Sequence, residues 1–134
     1  MPNNLPLVEV IPTLEFQRNL RTLSKKYRHI RSDVEVIIEQ LQAGELLGDR
    51  ISGVGYEIFK VRVKNSDIQK GKSAGYRLIY YIQTPTAIVL ITIYSKSEQS
   101  DISAERIQQI LAEFNQVSLA EKIQNNDDGD RTNN

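Results

Sequence analysis

Two segments, Ile58-Phe-Lys-Val-Arg-Val-Lys64 and Tyr76-Arg-Leu-Ile-Tyr-Tyr-Ile82, predict a β-hairpin at the centre of the chain. In the first segment apolar and basic residues alternate, which is the period of a strand with one buried and one exposed face. Its apolar residues point toward a core, and its basic residues, Lys60, Arg62 and Lys64, point the other way. The second segment places Arg77 and Tyr81 on one face.

The segments around this hairpin predict an α+β fold. Residues 87–93 are apolar on both faces, as in a central strand that is covered on both sides. Residues 7–11 read as a short edge strand before Pro12, and Thr13 can cap the helix that follows. Helical spacing recurs at 16–27, at 34–41 after the capping-box spacing Ser32 to Glu35, and at 107–114 after a cap at Asp101 or Ser103. The predicted order is β-α-α-β-β-β-α: a small, mostly antiparallel sheet of about four strands with an N-terminal helical hairpin and a C-terminal helix.

The helical pattern fades near the C-terminus. From Asn125 to Asn134 there is no apolar residue, so this segment has no side chain that could pack into a hydrophobic core. We therefore predict one domain over residues 1–116 and a polar, acidic, disordered tail over residues 117–134.

Composition excludes several classes of site. The chain has 134 residues, no cysteine and one histidine, His29, so disulfides, thiolate metal sites and a two-histidine nuclease mechanism are excluded. We expect His29 to be an exposed or capping residue between two helices. No apolar run is long enough to span a membrane and no secretory signal is evident, which predicts a cytoplasmic protein without a membrane partner.

The net charge of zero conceals an uneven distribution. Between Arg50 and Tyr80 there are seven basic and two acidic residues, a balance of +5, whereas the segment after Gln116 has a balance of −2. Lysines and arginines are common on the solvent face of a sheet. On composition alone, this explanation of the basic residues and a functional one have about equal weight. Basic residues beside tyrosines are also how proteins hold unpaired RNA.

Two other sites are rejected. Gly71-Lys-Ser73 resembles the end of a phosphate-binding P-loop, but position 66 is serine and a strand follows instead of a helix. Glu35 and Glu39 lie one helical turn apart, but no carboxylate cluster on the strands accompanies them, so a metal-dependent nuclease is disfavoured.

Three segments carry a resemblance to a known family, over about residues 10–115. They are the loop Lys70-Gly-Lys-Ser-Ala-Gly75, the strand Gly75-Tyr-Arg-Leu-Ile-Tyr-Tyr81, and Tyr94-Ser-Lys-Ser-Glu-Gln-Ser-Asp-Ile-Ser103. Together with the basic strand they resemble the RelE/ParE superfamily of type II toxin–antitoxin systems, and within it the HigB-type RelE-like branch.

This resemblance implies a toxin that inhibits translation as a ribosome-dependent mRNA interferase, a metal-independent endoribonuclease. Its implied partners are a cognate antitoxin and mRNA on the ribosome, without metal or cofactor. The implied catalytic residues are Lys60 for proton transfer, Arg62 and Arg77 for the phosphate, and in addition Lys96 and Tyr94. The implied RNA-binding residues are Lys64, Lys70, Lys72 and Tyr81.

The chain also departs from the family pattern. Ser97 and Ser103 occupy places where well-characterised relatives have an arginine and a tyrosine. Either Lys96 and Tyr94 take over these roles, or cleavage is weak or absent. Two alternative functions also stay open: a ParE-like gyrase inhibitor, and a non-catalytic homologue that binds RNA or its antitoxin.

Overall fold

The computed structural model describes residues 7–68 and 75–132 and, within the last helix, the side chains up to Val117 and that of Leu119. The elements follow in the order β1 (Glu9–Pro12), α1 (Leu14–Ser24), α2 (Ile30–Gln42), β2 (Asp49–Arg50), β3 (Ile58–Val63), β4 (Tyr76–Thr84), β5 (Ala87–Ser95) and α3 (Ala104–Thr132). The predicted α+β class and order are confirmed, and the two-residue strand β2 is an addition.

The five strands form one sheet in the order β1-β5-β4-β3-β2. The edge strand β1 runs parallel to β5, and the other pairs are antiparallel. Thr13 caps α1 as predicted: its hydroxyl accepts the Phe16 N–H at 3.0 Å and donates to the Ile91 carbonyl at 2.7 Å. One side chain thus begins a helix and attaches it to the central strand.

Apolar clusters lie on both faces of the sheet. On one face, α1 and α2 pack on the inward residues of the hairpin, among them Phe59, Val61 and Leu78. On the other face, Ile107, Ile110 and Leu111 of α3 pack on Ile58, Ile79 and Ile91. Strands β4 and β5 are therefore largely buried, as predicted for 87–93.

The start of α2 differs from the prediction. The helix begins at Ile30 and its N-cap is His29, whereas Ser32 lies inside the first turn and donates to the His29 carbonyl at 2.9 Å. Asp67 binds this helix end from the β3–β4 connection, because its carboxylate accepts the His29 N–H at 2.9 Å and contacts the ring Nδ1 at 2.6 Å. The N–H and the ring of His29 hold the pKa of Asp67 below its ordinary value. A long-range carboxylate thus replaces the predicted local cap.

The C-terminal helix is longer than its apolar pattern. Ser103 caps it by accepting the Arg106 N–H at 3.1 Å, and the backbone continues as helix to Thr132. The division of the chain into a domain ending at 116 and a disordered tail stays a prediction.

Gly48 allows β2 to approach β3. Its φ is +79°, and a Cβ built there lies 2.3 Å from the Lys60 carbonyl oxygen. Gly53 has nearly the same φ, +81°, but a Cβ there meets nothing within 4 Å. An alanine would have the same backbone strain at both positions, but only at position 48 would its methyl group also clash with β3.

We predict that Gly53→Ala lowers the free energy of unfolding by about 1–2 kcal/mol, the cost of a left-handed alanine. Gly48→Ala should lower the free energy of unfolding by about 1–3 kcal/mol more than Gly53→Ala does, because the methyl group displaces β3. Urea unfolding followed by circular dichroism measures both. Equal losses in the two variants would contradict the close approach.

Candidate functional site

Three cations and one tyrosine share one face of the central strands. Arg62 lies directly opposite Arg77 in the β3–β4 register, and Lys60 lies opposite Ile79. In β5, the neighbour of β4 on its other flank, Tyr94 lies directly opposite Arg77. Because directly opposed residues project to the same side of a sheet, Lys60, Arg62, Arg77 and Tyr94 form one surface, which we call the cationic face.

The cationic face lies next to the part of the sheet on which α3 packs, and Tyr94 belongs to the apolar cluster that α3 forms there. Ile58 and Ile79 project from the same side of β3 and β4 and pack under α3. Moving along the strands toward Arg62 and Arg77, this side changes from apolar to basic. The helix therefore sets one boundary of the site.

Arg77 forms the floor of the cationic face. Only 6% of its surface is exposed, and its Nη1 donates to the Tyr76 carbonyl at 3.1 Å. Among the side chains that the structure describes, no carboxylate forms an ion pair with Arg77. A buried charge without a counter-ion is costly, so this position favours an anionic ligand.

Arg62 and Lys60 are more accessible than Arg77. Arg62 is exposed, and the Lys60 side chain retains 35% of its accessible surface. Like charges directly opposite each other in a sheet repel, which applies to Arg62 and Arg77. An anion between the two guanidinium groups would relieve this repulsion, and the guanidinium fork suits phosphate oxygens.

Tyr94 contributes a protonated hydroxyl. Only 5% of the residue is exposed, and burial raises the pKa of Tyr94 to about 12, with a smaller contribution from Asp101. Its hydroxyl donates to Asp101 Oδ1 at 3.4 Å. At neutral pH this group therefore carries a proton that it can donate.

Asp101 is a site residue that the sequence did not predict. Its Oδ1 accepts the Lys60 ammonium at 3.3 Å and the N–H of Ile102 at 2.8 Å. That N–H, followed by Lys60, holds the pKa of Asp101 below its ordinary value. The sequence suggested only a helix cap here, and no local pattern signals a contact with Lys60, which lies 41 residues away.

The other predicted site residues that the structure describes, Lys64, Tyr81 and Lys96, lie outside the four-residue cationic face. Lys96 donates its ammonium to the Ser100 carbonyl at 2.6 Å and so holds the β5–α3 turn. Lys64 is exposed directly after β3. Tyr81 lies four residues along β4 from Arg77, where it packs edge-to-face on Tyr56 with centroids 5.3 Å apart. Lys70 and Lys72 lie outside the described residues.

The two serines at the departures from the family pattern have local contacts. The hydroxyls of Ser97 and Ser95 lie 3.0 Å apart, and Ser103 caps α3. Neither supplies the charge or the ring that an arginine or a tyrosine would bring there.

In the described part of the chain, no group of three or more histidine, cysteine, aspartate or glutamate side chains is arranged to hold a metal ion. No described helix is both long enough and apolar enough to cross a membrane.

No family model matches the chain. Among solved structures, it is similar to a mutant of the E. coli toxin RelE in the free state, with 15% sequence identity and a TM-score of 0.47. The matched region covers 70% of this chain and 88% of that one. A likeness of this degree does not assign an activity to this chain.

We predict that inorganic phosphate raises the melting temperature of the protein, because a ligand that binds only the folded state stabilises it by mass action. Arg77→Met should abolish this rise. In phosphate-free buffer the same variant should unfold no more easily than the parent, since an apolar residue replaces a buried charge. Thermal unfolding at several phosphate concentrations measures both effects.

Arg18→Met is the matched control, because Arg18 is exposed on α1 and lies outside the cationic face. It should keep the response to phosphate. A phosphate response that persists in Arg77→Met would contradict an anion site at this position.

Proposed function

We propose that the chain binds RNA on the cationic face and cleaves it as a metal-independent endoribonuclease. In this proposal it is the toxin of a type II toxin–antitoxin system, acts on mRNA in the ribosome, and is silenced by a cognate antitoxin. The single observation that carries the proposal is the direct opposition of Arg62 and the buried Arg77, with Lys60 and Tyr94 beside them. The resemblance of the three sequence segments to RelE-like toxins supports the choice of reaction.

The reaction needs proton transfer and stabilisation of charge, and the cationic face offers groups for both. The ribose 2′-oxygen loses its proton and bonds to the neighbouring phosphorus, while the bond from phosphorus to the 5′-oxygen breaks and that oxygen takes up a proton. Negative charge grows on the non-bridging oxygens during this step. Arg77 from the floor and Arg62 from the rim would stabilise it.

Proton transfer is assigned to Lys60 and Tyr94. Lys60 is assigned the proton transfer at the 2′-hydroxyl, and its ammonium also donates to the RNA phosphate when RNA first binds. Tyr94 is protonated at neutral pH and can donate to an oxygen of the phosphate or of the leaving group.

The remaining basic residues would hold the flanking RNA. Lys64 lies one residue beyond the end of β3 and is exposed, so it can contact the next phosphate. Lys70 and Lys72, in the adjoining connection, are assigned the same role. Lys96 is proposed to act through the β5–α3 turn that it holds, and Tyr81 through stacking on a base farther along β4.

We predict that expression of the chain without an antitoxin arrests growth and that Arg62→Ala relieves the arrest. Loss of one group that stabilises developing charge should lower cleavage by about 10²-fold or more. Arg62 is exposed, so the substitution leaves the core intact. Arg18→Ala removes an exposed arginine on α1 and should stay as toxic as the parent, with equal expression checked by immunoblot.

Primer extension on mRNA recovered from translating ribosomes tests the reaction itself. We expect cuts within codons in cells that express the parent chain, and none with Arg62→Ala. Intact mRNA together with inhibited DNA supercoiling would assign the chain to the gyrase inhibitors. Harmless expression of the folded parent would favour the non-catalytic homologue.

A further inference from the structure

Asp101 places a negative charge on the cationic face. It lies in the turn between β5 and α3, and its Oδ1 accepts three donors: Lys60 Nζ at 3.3 Å, the Tyr94 hydroxyl at 3.4 Å and the Ile102 N–H at 2.8 Å. Two of these donors come from β3 and β5, the strands on either side of Arg77. The carboxylate therefore bridges the site across its central strand.

The donors that hold Asp101 are those that a phosphate would use. A carboxylate and a phosphodiester each carry one negative charge, and both accept hydrogen bonds from ammonium and hydroxyl groups. The Tyr94 hydroxyl has one proton and can donate it to only one of the two anions. The Lys60 ammonium has three donors, but the charge of Asp101 offsets its single positive charge before an RNA phosphate binds. The two anions therefore compete for one set of donors.

The setting of Asp101 allows it to leave. Its side chain is 66% exposed, so solvent can replace the donors that the carboxylate would lose on turning away. The turn behind it is held separately, by the Lys96 ammonium on the Ser100 carbonyl at 2.6 Å and by Gln99 Nε2 on the Asp101 carbonyl at 2.9 Å. Rotation of one side chain would free Lys60 and Tyr94 while the turn keeps its shape.

We infer that Asp101 is an internal competitor for the RNA phosphate, which pairs with Lys60 and Tyr94 in the free protein and gives them up when RNA binds. The inference rests on the proposed function of the cationic face. In this inference Asp101 lowers the affinity for RNA and keeps Lys60 paired when no RNA is present. Exposed ion pairs of this kind are weak, so RNA can displace the carboxylate.

Asp101→Asn tests the inference, because asparagine keeps an oxygen that can accept the Ile102 N–H and removes the charge. We expect this variant to bind a single-stranded RNA oligonucleotide about two- to fivefold more tightly than the parent, the range expected for one exposed ion pair. The oligonucleotide carries 2′-O-methyl groups so that it cannot be cleaved. Fluorescence anisotropy at low salt gives the dissociation constants, and thermal unfolding confirms that each variant is folded.

Glu98→Gln is the matched control, since Glu98 lies in the same turn but binds Lys26 at 3.3 Å and the Tyr27 hydroxyl at 3.2 Å. It removes the same charge away from the cationic face and should change the affinity less than Asp101→Asn does. A second control uses a Lys60→Met background. There Asp101→Asn should lose most of its effect, because the main charged partner is gone.

The outcomes separate the inference from the proposed function. Equal affinities of the parent and Asp101→Asn for RNA, or weaker binding by Asp101→Asn, would overturn the inference and leave the RNA site standing. Equal gains from Asp101→Asn and Glu98→Gln would also overturn it, because they would reflect net charge alone. If neither the parent nor Asp101→Asn binds RNA at low salt, the proposed function fails and the inference fails with it.

Discussion

The register between β3 and β4 is the constraint on which the rest of the structure depends. It sets Arg62 opposite Arg77, so two like charges lie on one side of the sheet, one exposed and one buried. Such a pair opposes folding and must be offset elsewhere. The offset comes from the apolar clusters on the two faces, because Val61 and Leu78 pair in the same register and bury their side chains on the other side. A shift of one residue would exchange these faces, so the same packing that stabilises the sheet also fixes the position of the charges.

The apolar cluster between α3 and the sheet limits the extent of the cationic face. Ile107, Ile110 and Leu111 of α3 cover Ile58 and Ile79, and the same face carries basic groups beyond them. Glu15 of α1 pairs with Arg106 at 3.0 Å and ties the start of α3 to the opposite layer. The β3–β4 connection is attached at its beginning to α2, where Asp33 accepts the Ser66 N–H at 3.0 Å and Asp67 binds His29. The boundaries of the cationic face are thus set by contacts between layers.

Alternation and helical spacing were sufficient to predict the strands of the hairpin, the three helices and the basic side of β3. That Arg77 lies on the same side as Lys60 and Arg62 follows from the β3–β4 register, which alternation within each strand does not specify. They failed where contacts join distant parts of the chain. The helix cap predicted at Ser32 was wrong, because Asp67, which lies 38 residues from His29 in the sequence, binds the start of the helix instead. Asp101 was missed for the same reason, since its contact with Lys60 depends on how the turn after β5 returns over the sheet. The buried state of Arg77 also depends on neighbours that local sequence does not specify.

A net charge of zero is compatible with a phosphate-binding surface in this fold. At physiological ionic strength charges are screened beyond about 8 Å, so a ligand at Arg77 responds mainly to groups on the same face. The acidic excess after Gln116 contributes to the total, whereas Lys60, Arg62, Arg77 and Asp101 lie close to where an anion would bind. Within that short range a single carboxylate offsets one of three cations. Local geometry therefore matters more than composition: on the inference above, a charge at Asp101 acts on an anion at this face more strongly than an equal charge elsewhere on the surface.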